Sequence, residues 1–287
     1  MRKLVVFLIS LFIIISCVGC SKNEYDKNTA KLPKHSTAIE HSAPLYKQKS
    51  IPTLFIHGYA GGKSSFGHMI QRIEKTGAAK QALTLTIDDD GSIHSQGNWK
   101  EKNNPMIQVL FSNNKSHEWN QAEWIHQILV YLEKNDQVRE VNIVGHSMGG
   151  VSTLRYLGNY GKDQNLPKIG KFIAIAAPFN EFIESKQSLK NLLQNGPNEQ
   201  SPRYLDYISM KENYPQTMQV DLLAGQLSQK ELTDGRVPLS SSLAVFSLLK
   251  NQAITIKQHV YKGKQTQHSQ LHENPKIDQE IIDFLWR

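Results

Sequence analysis

A serine stands among glycines at Gly145-His146-Ser147-Met148-Gly149-Gly150, directly after the apolar run Val141-Asn142-Ile143-Val144. The pattern G-x-S-x-G between a strand and a helix has a mechanical cause. The chain must turn sharply there, and the turn pushes its central residue into strained backbone space. Glycines on both sides let neighbouring backbone come close without clashing side chains. Such a turn lifts the Ser147 hydroxyl to the head of a sheet, at a helix N-terminus, where it can attack a carbonyl carbon. The Met148 N–H can then point at the oxyanion that the attack creates. Alone the pattern is weak, since chance yields it in a chain of this composition on the order of ten per cent of the time. The strand before it, the helical segment after it and the extra Gly150 add weight.

A nucleophilic serine needs a base, and the base needs an orienting acid. On a strand-turn-helix scaffold of this kind the chain order is serine, acid, histidine. Two histidines, His268 and His272, follow the last strand-like run at 254–261. His268 is the expected base, because it follows the loop after that run directly and Pro275 and a closing helix come after it. A neutral imidazole suits the role because its pKa lies near the operating pH. His272 is read as a surface or helix-entry residue, and His259 as a packing residue within the strand. The acid is expected after the run 220–224, and Asp234 in Thr233-Asp234-Gly235-Arg236-Val237-Pro238 is the choice. Asp221 and Glu231 are the alternatives. The plain reading of Asp234 is an Asx turn before Gly235. His57-Gly58-Tyr59-Ala60-Gly61-Gly62 follows the run 53–56. Its glycines permit a tight loop, and the Tyr59 N–H is the expected second oxyanion donor beside Met148.

Apolar runs at 53–56, 83–87, 106–111, 138–144, 172–176, 220–224 and 254–261 read as strands. Helical spacing marks 64–75, 116–134, 148–160 and 277–285, with Trp124, Ile128, Leu129 and Leu132 on one side of the second. The polar stretch 91–105 reads as loop. Short strands alternating with helices imply an α/β domain with a mainly parallel sheet covered on both faces. Sites in such sheets lie beyond the carboxyl ends of the strands, where every candidate above falls. Residues 180–215 interrupt the alternation and are expected to form a small cap that shapes the pocket and excludes water. Asp88-Asp89-Asp90-Gly91 lacks the alternating ligand spacing of a calcium loop and reads as a solvated turn.

The first residues read as an address. Met1-Arg2-Lys3 is basic, an apolar run follows from Leu4 to Ile15, and Ser16-Cys17-Val18-Gly19-Cys20 ends it. This is the layout of an export signal, with a run too short for a comfortable membrane span. The ending resembles a bacterial lipobox, in which the cysteine after a small residue is acylated. Cys17 and Cys20 both fit, and Cys20 is favoured because polar sequence begins right after it. Neither register has the usual Leu three residues before the cysteine. The expectation is a signal peptide over 1–19, a flexible tether over 20–49 and the domain over 50–287. The protein would then sit on the outer face of a bacterial membrane, held there by lipid.

Composition closes off other classes. The net charge of +7 falls to about +5 without Arg2 and Lys3, the basic residues are scattered, and no nucleic-acid-binding motif is present. The only two cysteines are Cys17 and Cys20, so a domain disulfide, a cysteine zinc site and a catalytic cysteine are excluded.

Taken together, His57-Gly58-Tyr59-Ala60-Gly61, Gly145 to Gly150, Ala177-Pro178-Phe179-Asn180, Asp234 to Pro238 and His268-Ser269-Gln270-Leu271-His272-Glu273-Asn274 resemble the domain of unknown function 915 family of α/β hydrolases. Its members are described as cell-surface hydrolases of low-GC Gram-positive bacteria. The resemblance spans about Ile51 to Arg287. It implies the α/β-hydrolase fold and a Ser147–Asp234–His268 triad, and it supplies no substrate. The expected chemistry is hydrolysis of a carboxylic ester on a small-molecule or lipid-like acyl substrate, with no metal or organic cofactor. The same triad could serve an amidase, a thioesterase or an acyltransferase, and the fold could serve a surface binding module without catalysis.

Overall fold

Apolar side chains point both ways from the central strands, so the sheet they build must be covered on both faces. The computed structural model describes residues 46–99, 103–252 and 254–287. The signal segment, Cys17, Cys20 and the tether up to residue 45 lie outside the described residues. Among the described residues, no helix is long and apolar enough to cross a membrane.

The strands are β1 (Thr53–Ile56), β2 (Lys80–Ile87), β3 (Ile93–Gly97), β4 (Pro105–Phe111), β5 (Glu140–His146), β6 (Lys168–Ile175), β7 (Gln219–Gln226) and β8 (Thr255–Lys262). They form one sheet in the order β3-β2-β4-β1-β5-β6-β7-β8. Only β3 runs antiparallel to its neighbour. The helices are α1 (Lys63–Lys75), α2 (Glu118–Asp136), α3 (Met148–Tyr160), α4 (Leu189–Asn195), α5 (Pro202–Ser209), α6 (Leu239–Ser242), α7 (Phe246–Lys250) and α8 (Pro275–Trp286).

Alternation along each strand divides the core in two. Leu54, Ile56, Ile143, Phe172 and Leu222 pack with α2 and α3. Phe55, Val144, Ile173, Ile175 and Leu223 pack with α1 and α8 on the opposite face. Gln137 ends α2 in the left-handed region at φ 53°, so the chain turns at once into β5.

Two expectations need correction. The stretch 91–105 contains β3, which reads as loop because its residues are polar. An antiparallel edge strand needs no apolar face, and most of β3 is exposed. The expected tether is bonded to the domain over its last residues. The Lys47 N–H donates to the Trp286 carbonyl at 2.8 Å, and the Asn104 N–H to the Lys49 carbonyl at 2.7 Å. Tyr46 packs against the α1/α8 core.

The segment 180–215 carries α4 and α5. Ser188 and Ser201 cap them, accepting from the N–H groups of Asn191 and Tyr204. Buried charge ties α5 to the body of the domain. Glu118 at the start of α2 accepts from Arg155 Nη2 at 2.7 Å and from Arg203 Nε at 2.8 Å. Arg203 also donates to the Pro178 carbonyl at 2.9 Å, and Arg155 to Asp206 at 3.1 Å.

Candidate active site

Ser147 sits between the end of β5 and the start of α3 with φ 54° and ψ −122°, a conformation that non-glycine residues rarely adopt. The surroundings hold it there. Its N–H donates to the Ile175 carbonyl at 2.8 Å. The first turn of α3 lies so close to β1 that a Cβ on Gly149 would overlap the Ile56 carbonyl oxygen. Strain held at a site by surrounding packing is a mark of function.

His268 follows β8 through a short loop, and its Nε2 lies 3.0 Å from Ser147 Oγ. Its Nδ1 lies 2.7 Å from Asp234 Oδ2. The main chains are joined as well, with the His268 N–H donating to the Asp234 carbonyl at 2.9 Å. Asp234 is fully buried, and its other oxygen accepts from the Arg236 and Val237 N–H groups at 2.9 and 2.7 Å. With Oδ1 fixed by the backbone, Oδ2 is left facing the imidazole. The Asx turn read from the sequence is therefore present, and the same turn aims the carboxylate at His268.

The loop after β1 is held from two sides. His57 is buried, donates from Nδ1 to the Gly58 carbonyl at 2.8 Å and accepts at Nε2 from the Phe111 N–H at 3.2 Å. Burial pushes its pKa down, as a neutral ring in both roles requires. Asn114, just beyond β4, accepts from the Ala60 N–H at its main-chain carbonyl and donates from its side-chain amide to the Gly61 carbonyl, each at 2.7 Å. Tyr59 and Met148 both line the cavity above Ser147. Among the described residues neither of their N–H groups donates to a protein acceptor.

That cavity has a volume of about 590 Å³. Ser147 and His268 lie in its wall with Val151, Phe182, Arg203 and Arg236. Phe182 and Arg203 come from the segment 180–215.

His272 lies in the turn that leads into α8, as a helix-entry residue would, but its side chain is largely buried. Its side chain lies in the cavity wall, edge-on to His146 with ring centres 5.0 Å apart. Burial lowers its pKa. His146, the residue before Ser147, is buried, and its Nε2 donates to the His268 carbonyl at 3.1 Å. Burial holds its pKa well below the ordinary value, with His268 and His272 adding to the effect. His146 and Asn114 thus position the site, and sequence reasoning passed over both. The only hint of His146 was its place inside the serine motif. Of the alternative acids, Asp221 lies beside His259 and Glu280, and Glu231 is exposed beside Ser228. Neither of them meets His268.

The chain matches the family model described as alpha/beta hydrolase of unknown function (DUF915) over residues 40–287. Among solved structures it is similar to the product of gene lin2722 of Listeria innocua. The identity is 28% and the TM-score 0.77, over 83% of this chain and 94% of that one. It is also similar in fold to a Lactobacillus plantarum protein named as a candidate cell surface hydrolase. There the identity is 21% and the TM-score 0.67, over 83% and 90% of the two chains. No curated protein matches. With the family model covering all of the described domain, the chain belongs to this family of α/β hydrolases.

Proposed function

We propose that this hydrolase cleaves a carboxylic ester by two-step acyl transfer at the cell surface. One observation carries the reading. Asp234, His268 and Ser147 form an unbroken relay, with separations of 2.7 and 3.0 Å, whose serine opens onto the cavity.

Ser147 Oγ attacks the acyl carbon as its proton passes to His268 Nε2. Asp234 keeps Nδ1–H in place and balances the imidazolium. The Tyr59 and Met148 N–H groups receive the oxyanion. His268 returns the proton to the leaving alcohol, then takes one from the attacking water and gives it to Ser147 Oγ as the acyl–Oγ bond breaks and the acid leaves. The segment 180–215 acts as a cap in the sense of a fixed wall. Phe182 and Arg203 bring it to the cavity, and the Glu118 ion network anchors it. The location follows from the N-terminal sequence: residues 1–19 direct export, Cys20 takes the lipid, and the polar residues after it form the tether.

Labelling by a fluorophosphonate probe, followed by hydrolysis of p-nitrophenyl esters from acetyl to dodecanoyl, tests this directly. Wild type should be labelled and turn over at least one ester, and Ser147→Ala should do neither. Full activity in Ser147→Ala, or a wild type inert to both reagents, overturns the reading.

A further inference from the structure

On the sheet face that packs against α1 and α8, β7 breaks its apolar pattern at Asp221. Leu223, the next residue of the same parity, is core. Asp221 is fully buried, and neither carboxylate oxygen makes a hydrogen bond of good geometry, although the Glu280 carboxyl and the Leu222 N–H are close by. Buried charges are ordinarily paired or bound to a metal, and an unsatisfied one calls for an explanation.

Two other metal-ligating side chains meet it there. His259 on β8 places Nε2 3.6 Å from Asp221 Oδ2 and 3.2 Å from Glu280 Oε1 on α8. Neither contact is a hydrogen bond, and His259 Nε2 has no such partner. One donor atom from each of the three residues lies within 4.8 Å of the other two. Donors about 2.0–2.1 Å from a tetrahedral zinc ion lie about 3.4 Å apart, close to the two measured separations. Lys257 stands opposite Asp221 in the ladder, but its ammonium lies over the Phe284 ring, 5.9 Å from the centroid.

We propose that Asp221, His259 and Glu280 form a site for one divalent transition-metal cation, zinc being the best fit, that clasps the last two strands to the C-terminal helix. Two carboxylates neutralise the cation, and the imidazole selects borderline metals over calcium and magnesium. None of the three residues lines the cavity at Ser147. The role is structural: β8 leads into the loop that carries His268, and α8 follows that loop. The proposal stands whether or not the ester reading does.

A proton is the competing occupant. Burial, with Glu280 beside it, pushes the Asp221 carboxyl up to about 8.

The test uses the whole chain after treatment with EDTA. Calorimetric titration with zinc chloride at neutral pH should show about one equivalent bound. Tm should rise by about 5 °C or more when free zinc is a hundredfold above Kd. Cobalt(II) should give the visible absorption of a tetrahedral nitrogen–oxygen site. Affinity should fall about 100-fold or more in His259→Ala and in Glu280→Gln, since even outer partners of a metal site carry effects near that size. His268→Ala should keep both the zinc-induced shift and the cobalt spectrum, which separates this site from the active-site histidines. Glu280→Gln guards against the case in which His259→Ala fails to fold. No stoichiometric binding by wild type means that a proton holds the site and overturns the proposal. So does binding unchanged in His259→Ala and Glu280→Gln, or binding lost in His268→Ala.

Discussion

Gly58 and Ser147 are in contact across the end of the sheet. A Cβ on Gly58 would lie 2.9 Å from Ser147 Cβ, 3.1 Å from the His146 carbonyl and 3.4 Å from Ser147 Oγ. The glycine is thus required by the serine that faces it. Gly58→Ala must push apart the loop after β1 and the serine turn. The expected result is a loss of about 100-fold in kcat, the scale of an ångström-sized misplacement of reacting groups. Hydrolysis of a p-nitrophenyl ester, compared with thermal unfolding, checks it. A variant that folds and keeps wild-type kcat refutes the contact as a constraint on the site.

Asp234 gives a test of the relay that spares the fold. In Asp234→Asn the amide oxygen can still accept from the Arg236 and Val237 N–H groups. The amide nitrogen then faces His268 Nδ1 and favours the wrong tautomer. kcat should fall about 10³- to 10⁴-fold with little change in Tm. Equal losses of Tm and activity would instead give Asp234 a purely structural role.

The candidate site was legible in the sequence wherever a residue type and a local turn coincide. Ser147 lies in its glycine motif, Asp234 in an Asx turn and His268 after the last strand. The sheet was legible through its apolar runs, and β3 was not, because an edge strand buries too little to leave a pattern. The burial of His272 was hidden for a different reason. Its burial comes from Phe66 on α1 and His146 on β5, neighbours that only the folded chain brings together. Asn114 is a single polar residue past a strand, and nothing in its spacing announces that it holds the loop after β1. The Glu118 ion network is equally silent, since its members lie 37 and 85 residues apart.

That network should govern stability more than chemistry. Glu118 and Arg155 are nearly inaccessible, with side-chain exposures of 2% and 4%. Glu118→Gln leaves two arginines facing one neutral amide, so unfolding stability should drop by about 3–5 kcal/mol. Arg203→Met should cost less, because Arg155 keeps Glu118 and the new side chain refills the space. Urea unfolding of the two variants checks the order. If Arg203→Met proves the more damaging, the carboxylate is not the centre of the network.

The buried histidines set a pH dependence. Burial depresses the pKa of both His57 and His146 in the folded protein. Below the ordinary histidine value of about 6.5 the unfolded chain therefore binds more protons than the folded one. Their contribution is complete above that pH and is lost as pH falls toward the folded values, so stability should decline on acidification below about 6.5. Asp221 acts the opposite way, because a carboxyl raised to about 8 favours the folded state as pH falls. The histidine effect is therefore best read in metal-free Asp221→Asn. Urea midpoints from pH 7.5 to 5.5 should decrease there, while the His57 and His146 ring resonances stay at their neutral positions. Charging of either ring near pH 6.5 without loss of stability would show that these histidines are not held neutral by the fold.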